Sequence, residues 1–378
     1  MTRNQHIIKF DIIIIGFGLS GITILLELLQ RTNKKILILE KKKKLERDKI
    51  WCFWNKPRNV FTTKYRNSWK KIVIECKNKK IIKFDKSISY KQIYSDDLYN
   101  YGKKVLFKSK DSKLLLGQNI NKLQEDENGI SIQSNNKLYS AKYVFDSRPS
   151  EFTPGELIQH FCGIEVEANH NVFETDEVTL MNFQQCKKKV HFFYILPYTK
   201  KKALVESTYL SNFILKKNKY LSDIKKFLKE TYPNINFKNK YKEIGVIPMH
   251  RLKKQNSYKN LFKVGTANNW VRMSSGYAFQ NSFKNSKEIV DRLINNHKIT
   301  IKEKKITIFL DKVFCIFLQN HPNEAKKAFL IFFERLKLHT IVKFMNDDYN
   351  IGDLLKILFV LPKLSLLKCM LIVLFKNE

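Results

Sequence analysis

The sequence predicts a mixed α/β fold with a parallel sheet at the N-terminus, a β-rich middle region and a helical C-terminal region. The parallel sheet is indicated by a β-branched run at residues 10–15, which leads into closely spaced glycines and an apolar helical pattern. Short alternating segments between residues 112 and 250 indicate the β-rich region, and helical spacing of apolar residues from residue 277 onward indicates the third part.

The composition is that of a globular protein with a large excess of positive charge. The 378 residues include 70 Lys and Arg against 35 Asp and Glu, so the formal net charge is +35, and 43% of the residues are hydrophobic. These values exclude a disordered or fibrous chain. Only ten of the basic residues are arginine, on which phosphate and base recognition mainly depend. Nucleic-acid binding is therefore disfavoured, and a basic, non-catalytic protein that binds membranes or nucleic acid is kept as an alternative.

The cysteines and histidines give no sign of a metal site or of disulfide bonds. The six cysteines form no C-x-x-C pair, and the eight histidines are scattered without a metal-ligand spacing. The first residues lack the apolar run of a signal peptide. We therefore expect a metal-free protein in a reduced cytoplasmic compartment.

The N-terminal elements have the order of a βαβ unit. A strand is predicted over residues 10–15, a helix over 19–30 and a second strand over 35–39. After that the chain is expected to be irregular to about residue 110, with one helix near 91–105.

Three glycines between the first strand and the helix predict that this unit binds a dinucleotide. Gly16, Gly18 and Gly21 match the G-x-G-x-x-G fingerprint in a chain with only 12 glycines. The pattern provides a tight turn and brings the helix N-terminus toward a pyrophosphate. Glu40 ends the next strand 19 residues after Gly21, where an acidic partner for a ribose hydroxyl is expected.

The middle of the chain is predicted to be mainly β. Its expected strands are residues 113–116, 130–132 after an Asn128-Gly129 turn, 143–145, 191–197 and 203–209. Within this region Asp146 and Arg148 directly follow a strand, and Glu206 interrupts an apolar strand.

The later part of the chain contains a second strand followed by a glycine turn. Residues 261–264 lead into Gly265, and Ser275, Gly276 and Tyr277 open the next helix. An early fingerprint, a β-rich interruption and a late glycine turn resemble the flavoproteins with two dinucleotide-binding domains, which favours FAD in a Rossmann-like domain. Thr266 stands where those proteins carry an Asp.

We expect an interleaved domain order. The predicted parts are an N-terminal FAD-binding part (1–110), strands that complete it (111–150), a β-rich substrate domain (151–250), a return to the FAD domain (251–300) and a helical C-terminal cap (301–378), for which a membrane-facing surface is one of two alternatives. In the cap, three lysines and a proline interrupt the apolar segment 354–375, which argues against a membrane-spanning helix. An interfacial helix and a buried helical hairpin both remain open.

Ten segments together resemble the lycopene cyclase family of bacteria and plants. They occur in the family's order over nearly the whole chain: 16–21 (GFGLSG), 51–54 (WCFW), 144–149 (VFDSRP), 159–163 (QHFCG), 180–183 (LMNF), 194–197 (YILP), 204–208 (LVEST), 245–249 (GVIPM), 264–267 (VGTA) and 275–279 (SGYAF). The chain departs from the family at Asn268-Asn269, where relatives often carry glycines, and at Asn182, where an Asp is usual.

The resemblance implies closure of the acyclic ψ ends of lycopene into β-rings, through γ-carotene to β-carotene. This isomerisation needs an acid, a base, an electron-rich group near a carbocation, and exclusion of water. The resemblance implies that Glu206 is the acid/base residue and that reduced FAD, with NADPH or NADH as reductant, stabilises the cation. By the same resemblance Trp51, Trp54 and Phe279 are expected near the substrate. The implied cofactor contacts are Gly16, Gly18, Gly21, Glu40, Asp146, Arg148, Gly265, Ser275, Gly276 and Tyr277.

A related FAD- and NADPH-dependent reductase or hydroxylase of isoprenoids is the enzymatic alternative. The Thr at position 266 and the Glu206 motif argue against it. Because lycopene is insoluble in water, the resemblance also implies a location at the inner face of the cell membrane. The oligomeric state cannot be read from the sequence.

Overall fold

A computed structural model describes residues 7–127, 129–186, 188–253 and 258–375, so Asn128 of the expected turn lies outside the described residues. The strands, in chain order, are β1 (Ile7–Ile15), β2 (Ile36–Leu39), β3 (Ile50–Trp54), β4 (Asn67–Trp69), β5 (Lys71–Cys76), β6 (Lys79–Phe84), β7 (Tyr90–Tyr94), β8 (Lys113–Leu115), β9 (Ile120–Asp126), β10 (Gly129–Ser134), β11 (Lys137–Asp146), β12 (Ile158–Ala168), β13 (Glu177–Phe183), β14 (Val190–Pro197), β15 (Lys202–Ser211), β16 (Phe237–Pro248) and β17 (Leu261–Lys263). The helices are α1 (Leu19–Arg31), α2 (Ser95–Leu106), α3 (Lys217–Thr231), α4 (Phe279–Ile294), α5 (Lys305–Asn320), α6 (Pro322–Arg335), α7 (Leu338–Met345), α8 (Ile351–Val360) and α9 (Lys363–Phe375).

The first sheet contains the predicted βαβ unit, which confirms the expected α/β fold. Its strand order is β8-β2-β1-β11-β10-β9, and β17 pairs with β11. Strands β2, β1, β11 and β17 run parallel to one another, so their carboxyl ends meet at one edge of the sheet. Residues 12–15 of β1 are buried because helices cover the sheet, and α1 packs against both α2 and α4.

The second sheet has the order β16-β12-β15-β14-β13-β5-β6, and successive residues of its central strand β15 point to opposite faces. On β15, Val205 points toward α3 and packs with Ile224, whereas Leu204 belongs to the large central core on the opposite face. This period of two follows from the pleat of a β-strand. It places Glu206 on the same face as Leu204.

The expectation of irregular chain up to residue 110 is wrong. β5 and β6, at residues 71–84, extend the second sheet, and β3, β7 and β4 form a small sheet of three strands. The helix expected near 91–105 begins only at Ser95, because residues 90–94 pair with β3 and β4. β6 is a sheet edge rich in lysine, a composition that protects edge strands and hides the strand pattern in the sequence.

The C-terminal helices cover the core face of the second sheet. α6 contacts β5, β6 and β14, and α5 contacts β15 and α9. Within the described residues no single helix is long and apolar enough to cross a membrane, but α8 and α9, bent by 115° at their junction, meet that criterion as a pair.

Candidate functional site

A large apolar cavity lies between the second sheet, the end of the first sheet and the C-terminal helices. Its volume is about 690 Å³, within the usual range for small-molecule sites. The lining runs from Thr266 and the 274–279 segment, past the core face of β14, β15 and β16, to α8 and α9. The carboxylates of Glu206 and Glu243 belong to this lining, in which apolar side chains predominate.

The fingerprint glycines form the expected turn between β1 and α1. A Cβ on Gly21 would lie 2.1 Å from the backbone oxygen of Gly16, so only glycine lets the helix pack this closely on the turn. Glu40 lies beside the turn, where its carboxylate accepts hydrogen bonds from the backbone N–H groups of Phe17 at 2.5 Å and Lys42 at 2.8 Å. The glycine turn and the acidic residue are therefore adjacent, as the fingerprint predicts.

The late glycine turn meets the early one. Gly265 follows β17 at the same sheet edge, and a Cβ at this position would lie 2.4 Å from Oγ of Ser20 in the first turn of α1. The side chain of Ser275 lies farther along the cavity wall, and its buried Oγ has no hydrogen-bond partner among the described residues. Gly276 and Tyr277 line the cavity directly after it. The early and the late glycine turns, which contain most of the expected cofactor residues, thus lie side by side although they are far apart in the sequence.

Asp146 and Arg148 form an ion pair at the end of β11. The Arg148 guanidinium donates to the buried Asp146 carboxylate at 2.8 Å, and Lys263 Nζ, on the neighbouring strand β17, donates to the same carboxylate at 2.9 Å. Burial alone would raise the pKa of Asp146, but these two cations hold it below its usual value. The structure places the pair beside the glycine turn, because Asp146 is the strand partner of Ile15. A role in cofactor binding stays a prediction.

The four aromatic residues singled out in the sequence lie together, but only three of them line the cavity. Trp51, Tyr277 and Phe279 form part of its wall. Trp54 is fully buried behind them, where its backbone N–H donates to Oη of Tyr277 at 2.6 Å. Phe279 stacks on Phe53 with ring centroids 4.4 Å apart, so it is held rigidly in the wall.

Glu206 is a buried carboxyl in the apolar wall of the cavity. It is 6% exposed, and its Oε1 accepts a hydrogen bond from the Thr208 hydroxyl at 2.5 Å. Burial raises the pKa of Glu206 to about 7, although the Thr208 hydrogen bond partly offsets the shift. A carboxyl with this pKa is present in both protonation states near neutral pH, so it is able to give and to take up a proton.

Sequence reasoning missed a second buried carboxyl, that of Glu243. It lies on β16, is 9% exposed and lines the same cavity. Burial, and then the charge of Glu206, raise the pKa of Glu243 well above its usual value. In the sequence, the only sign that Glu243 belongs to the site was its place just before the 245–249 motif. Its position opposite Glu206 follows from the strand register alone.

The residues at which the chain departs from the family serve local structure. Asn269 adopts a left-handed conformation with φ of 58°, and its side-chain amide bonds to both backbone groups of Leu252. Asn tolerates this conformation better than other residues with a Cβ, so it replaces a glycine without a large steric penalty. Asn182 donates to Glu75 at 2.6 Å and does not belong to the cavity lining.

Similar solved structures share the fold at low sequence identity. A geranylgeranyl bacteriochlorophyll reductase-like protein from Thermoplasma acidophilum matches with a TM-score of 0.71 at 12% identity, over 96% of this chain and 99% of that one. A p-nitrophenol 4-monooxygenase from Pseudomonas putida matches with a TM-score of 0.58 at 10% identity, over 98% of each chain. Halogenase PltM in complex with phloroglucinol and FAD matches with a TM-score of 0.55 at 9% identity, over 88% of this chain and 78% of that one. The chain therefore has the Rossmann-like fold of the FAD-dependent reductases and monooxygenases.

Comparison with curated protein sequences gives no significant match. The model of the lycopene cyclase protein family, in contrast, matches residues 11–371, nearly the whole chain. This match includes both glycine turns, the cavity and the Glu206 motif. The chain belongs to the lycopene cyclase family.

Proposed function

We propose that the chain is a lycopene β-cyclase that converts the ψ ends of lycopene into β-rings, through γ-carotene to β-carotene. The observation that carries the proposal is Glu206, a carboxyl with a pKa raised to about 7 in the wall of a large apolar cavity. Cyclisation requires a proton donor in surroundings that exclude water, and this site has both properties.

The residues of the cavity divide the chemical tasks. Glu206 donates its proton to the terminal double bond, which leaves a tertiary cation, and the neighbouring double bond closes the ring. The ring cation then loses a proton to a carboxylate of the cavity, which forms the ring double bond. The Thr208 hydroxyl stabilises the carboxylate that donation leaves behind. The faces of Trp51, Tyr277 and Phe279 provide electron-rich surface for the cation, and the apolar wall keeps out water that would quench it.

FAD fits the first sheet and the adjoining cavity wall. A Cβ on Gly18 would meet nothing within 4 Å, so there is space beside the backbone at the N-terminus of α1, where a pyrophosphate would bind. Glu40 is positioned for the ribose and the unpartnered Ser275 Oγ for a polar group of the cofactor. When bound and reduced by NADPH or NADH, FAD supplies an electron-rich ring that stabilises positive charge without net redox change.

Expression in bacteria that accumulate lycopene tests the activity. We expect β-carotene of unchanged mass, and we expect Glu206→Gln to keep its flavin while it loses activity by about 100-fold or more. Glu167→Gln, a matched change of a half-buried glutamate on β12 that does not line the cavity, is the control and is expected to keep full activity. A Glu206→Gln variant that still cyclises lycopene would contradict the assignment.

A reductase of isoprenoids is the second candidate, because a reductase-like protein matches the fold with a TM-score of 0.71. The two functions differ in the mass of the product, since reduction adds hydrogen and cyclisation does not. Mass spectrometry of the pigments distinguishes them.

We also propose that the α8–α9 hairpin docks on an anionic membrane at the cytoplasmic face. Its outer surface exposes large apolar side chains, among them Phe359 at 71% and Leu364 at 79% exposure. Lys356, Lys363 and Lys368 lie among them and complement anionic headgroups, in a chain with a net charge of +35. These exposures do not fit a buried helical hairpin.

The same hairpin forms part of the cavity wall, which supports a route for substrate from lipid to Glu206. Leu358 and Leu367 are 41% and 50% exposed and also line the cavity. A substrate dissolved in lipid would therefore pass from the membrane to the site between apolar side chains, without crossing water.

Flotation with vesicles tests the docking. We expect binding to vesicles that contain phosphatidylglycerol, weaker binding to phosphatidylcholine alone, and loss of binding in Phe359→Glu/Leu364→Glu, neither of which lines the cavity. Phe107→Glu changes a phenylalanine that is 90% exposed on the first domain and serves as control. Equal binding of the double variant and the wild type would refute the proposal.

A further inference from the structure

The two buried carboxyls of the cavity lie in one row across the second sheet. Gly163 on β12 is the strand partner of Glu206 on β15 and also of Glu243 on β16. Directly paired residues of neighbouring strands point to the same face of a sheet. Glu206 and Glu243 therefore face the cavity from either side of Gly163, about 10 Å apart at their Cα atoms for two strand spacings.

The missing side chain at position 163 lets the side chains of Leu204 and Glu243 approach the backbone of β12 beside Glu206. A Cβ at this position would lie 3.3 Å from Cγ and 3.4 Å from Oε1 of Glu243, so the Glu243 carboxyl extends over Gly163 toward Glu206. Cδ1 of Leu204 would lie 3.1 Å from the same Cβ, so a larger residue at position 163 would displace both side chains. Gly163 thus allows the two carboxyls to approach each other inside an apolar wall.

Few charges are available to compensate two carboxylates at this place. The guanidinium of Arg47 is paired with Glu165 and stacks between the rings of Tyr94 and Tyr241, and it offsets the raised pKa of Glu243 only in part. The other charged or titratable groups that interact with the pair or line the cavity beside it are Asp48, Lys49, Cys52, Tyr90, Cys162, Tyr194 and Tyr241. Burial raises the pKa of Cys52, Tyr90 and Tyr194, which keeps them neutral.

We propose that Glu243 is a second acid–base residue of the cyclisation and that Glu206 and Glu243 share one exchangeable proton across Gly163. The inference rests on the proposed function. Two carboxyls that flank one residue in apolar surroundings do not both ionise unless a cation compensates them, as in other carboxyl pairs that hold a single proton.

The proton balance of the reaction then closes within the pair. Glu206 transfers its proton to the terminal double bond, and a new C–H bond forms as the π bond breaks. After ring closure, the C–H bond at the ring carbon breaks, its electrons form the ring double bond, and the proton passes to the Glu243 carboxylate. The proton returns from Glu243 to Glu206 over Gly163, and the site is restored without an external reagent.

The Thr208 hydroxyl gives the pair its direction. It donates to Glu206 and stabilises the carboxylate of that residue. Glu243 has a backbone hydrogen bond from Ile50 instead, but burial and the charge of Glu206 outweigh it and keep the pKa of Glu243 well above its usual value. Glu243, the carboxyl that is harder to ionise, therefore holds the shared proton between turnovers. It passes the proton to Glu206, the stronger acid of the two, which donates it to the substrate.

Two measurements on the purified full-length protein test the pair. The first is cyclisation of lycopene across pH by wild type, Glu243→Gln and the control Glu167→Gln. We expect Glu243→Gln to keep its flavin, to lose activity by about 100-fold or more, and to lose the bell-shaped pH profile of the wild type. The second is infrared titration of the protonated carboxyl band, for which we expect Glu206→Gln to lower the pH at which Glu243 ionises.

Gly163→Ala keeps the proposal testable if Glu243→Gln does not fold. Its Cβ occupies the space between the carboxyls, and we expect about tenfold lower activity with an altered pH profile. A Glu243→Gln variant within threefold of wild-type activity and with the wild-type pH profile would overturn the role of Glu243 while leaving the proposed function intact. An unchanged infrared titration in Glu206→Gln would also overturn it. A wild-type protein that leaves lycopene unchanged would instead overturn the proposed function, and the infrared titration would still decide whether the proton is shared.

Discussion

Glu206→Gln is expected to stabilise the protein at alkaline pH while it removes activity. The pKa of Glu206 rises from 4.5 in the unfolded chain to about 7 in the fold, because the carboxyl is buried in apolar surroundings. A raised pKa of an acid means that the folded state binds the proton more tightly than the unfolded state does. Folding is therefore unaffected by this group below pH 4.5 and loses stability as the pH rises toward 7.

The size of the effect follows from the two pKa values. The carboxyl lowers the free energy of unfolding by about 1 kcal/mol at pH 5 and by about 3 kcal/mol at pH 8. Gln has the shape of the protonated carboxyl and still accepts the Thr208 hydrogen bond, so the substitution removes this pH-dependent penalty. Loss of the repulsion with Glu243 adds to the gain.

Urea unfolding of both proteins at pH 5 and pH 8 measures the prediction. We expect the stability of Glu206→Gln relative to wild type to increase by about 2 kcal/mol between the two pH values. Glu167→Gln, in which the lost carboxylate is only half-buried and is paired with Lys202 and Lys240, is expected to show no such gain. A difference between Glu206→Gln and wild type that does not change with pH would refute the reasoning.

Three further substitutions test the fold around the site. Gly21→Ala places a Cβ 2.1 Å from the Gly16 backbone oxygen, so we expect the purified variant to have lost its flavin absorbance. Arg272→Met leaves the buried carboxylate of Asp311 without its partner, and we expect a loss of about 3–5 kcal/mol in urea unfolding; no loss would show that the pair is not coupled. Burial lowers the pKa of His191 from 6.5 to about 4, so this group destabilises the fold as the pH falls from 6.5 to 4. We expect His191→Phe to remove up to about 3 kcal/mol of this destabilisation at acid pH. An unchanged pH midpoint of acid unfolding would contradict the lowered pKa of His191.

The βαβ unit was predictable from the sequence because its signals are local. The apolar run of β1, the glycine turn and α1 follow each other within 25 residues, and each pattern has one structural solution. β5 and β6 were not predictable because short lysine-rich strands have weak patterns, and their place in the sheet depends on pairing with β13, about 100 residues later in the chain.

The difference between local sequence signals and long-range pairing also applies to Asp146 and Arg148. An Asp-x-Arg after a strand indicates either a salt bridge or a cofactor contact, and the sequence does not separate them. The partner strand β17 brings Lys263 to the same carboxylate, which makes an ion-pair network. That arrangement results from a parallel pairing between segments more than 100 residues apart.

By itself, the sequence determined the dinucleotide-binding turn, the α/β class, the family resemblance and the acidic residue Glu206. These depend on residue types and spacings within short segments, and they can be recognised without knowledge of the fold. Only the tertiary structure decided which groups face Glu206. The pairing of β12 with both β15 and β16 places Glu243 opposite it over Gly163, and burial of both carboxyls in one apolar wall changes their proton affinities. Strand register and burial are properties of the packed chain, since they arise from contacts between segments that are distant in the sequence.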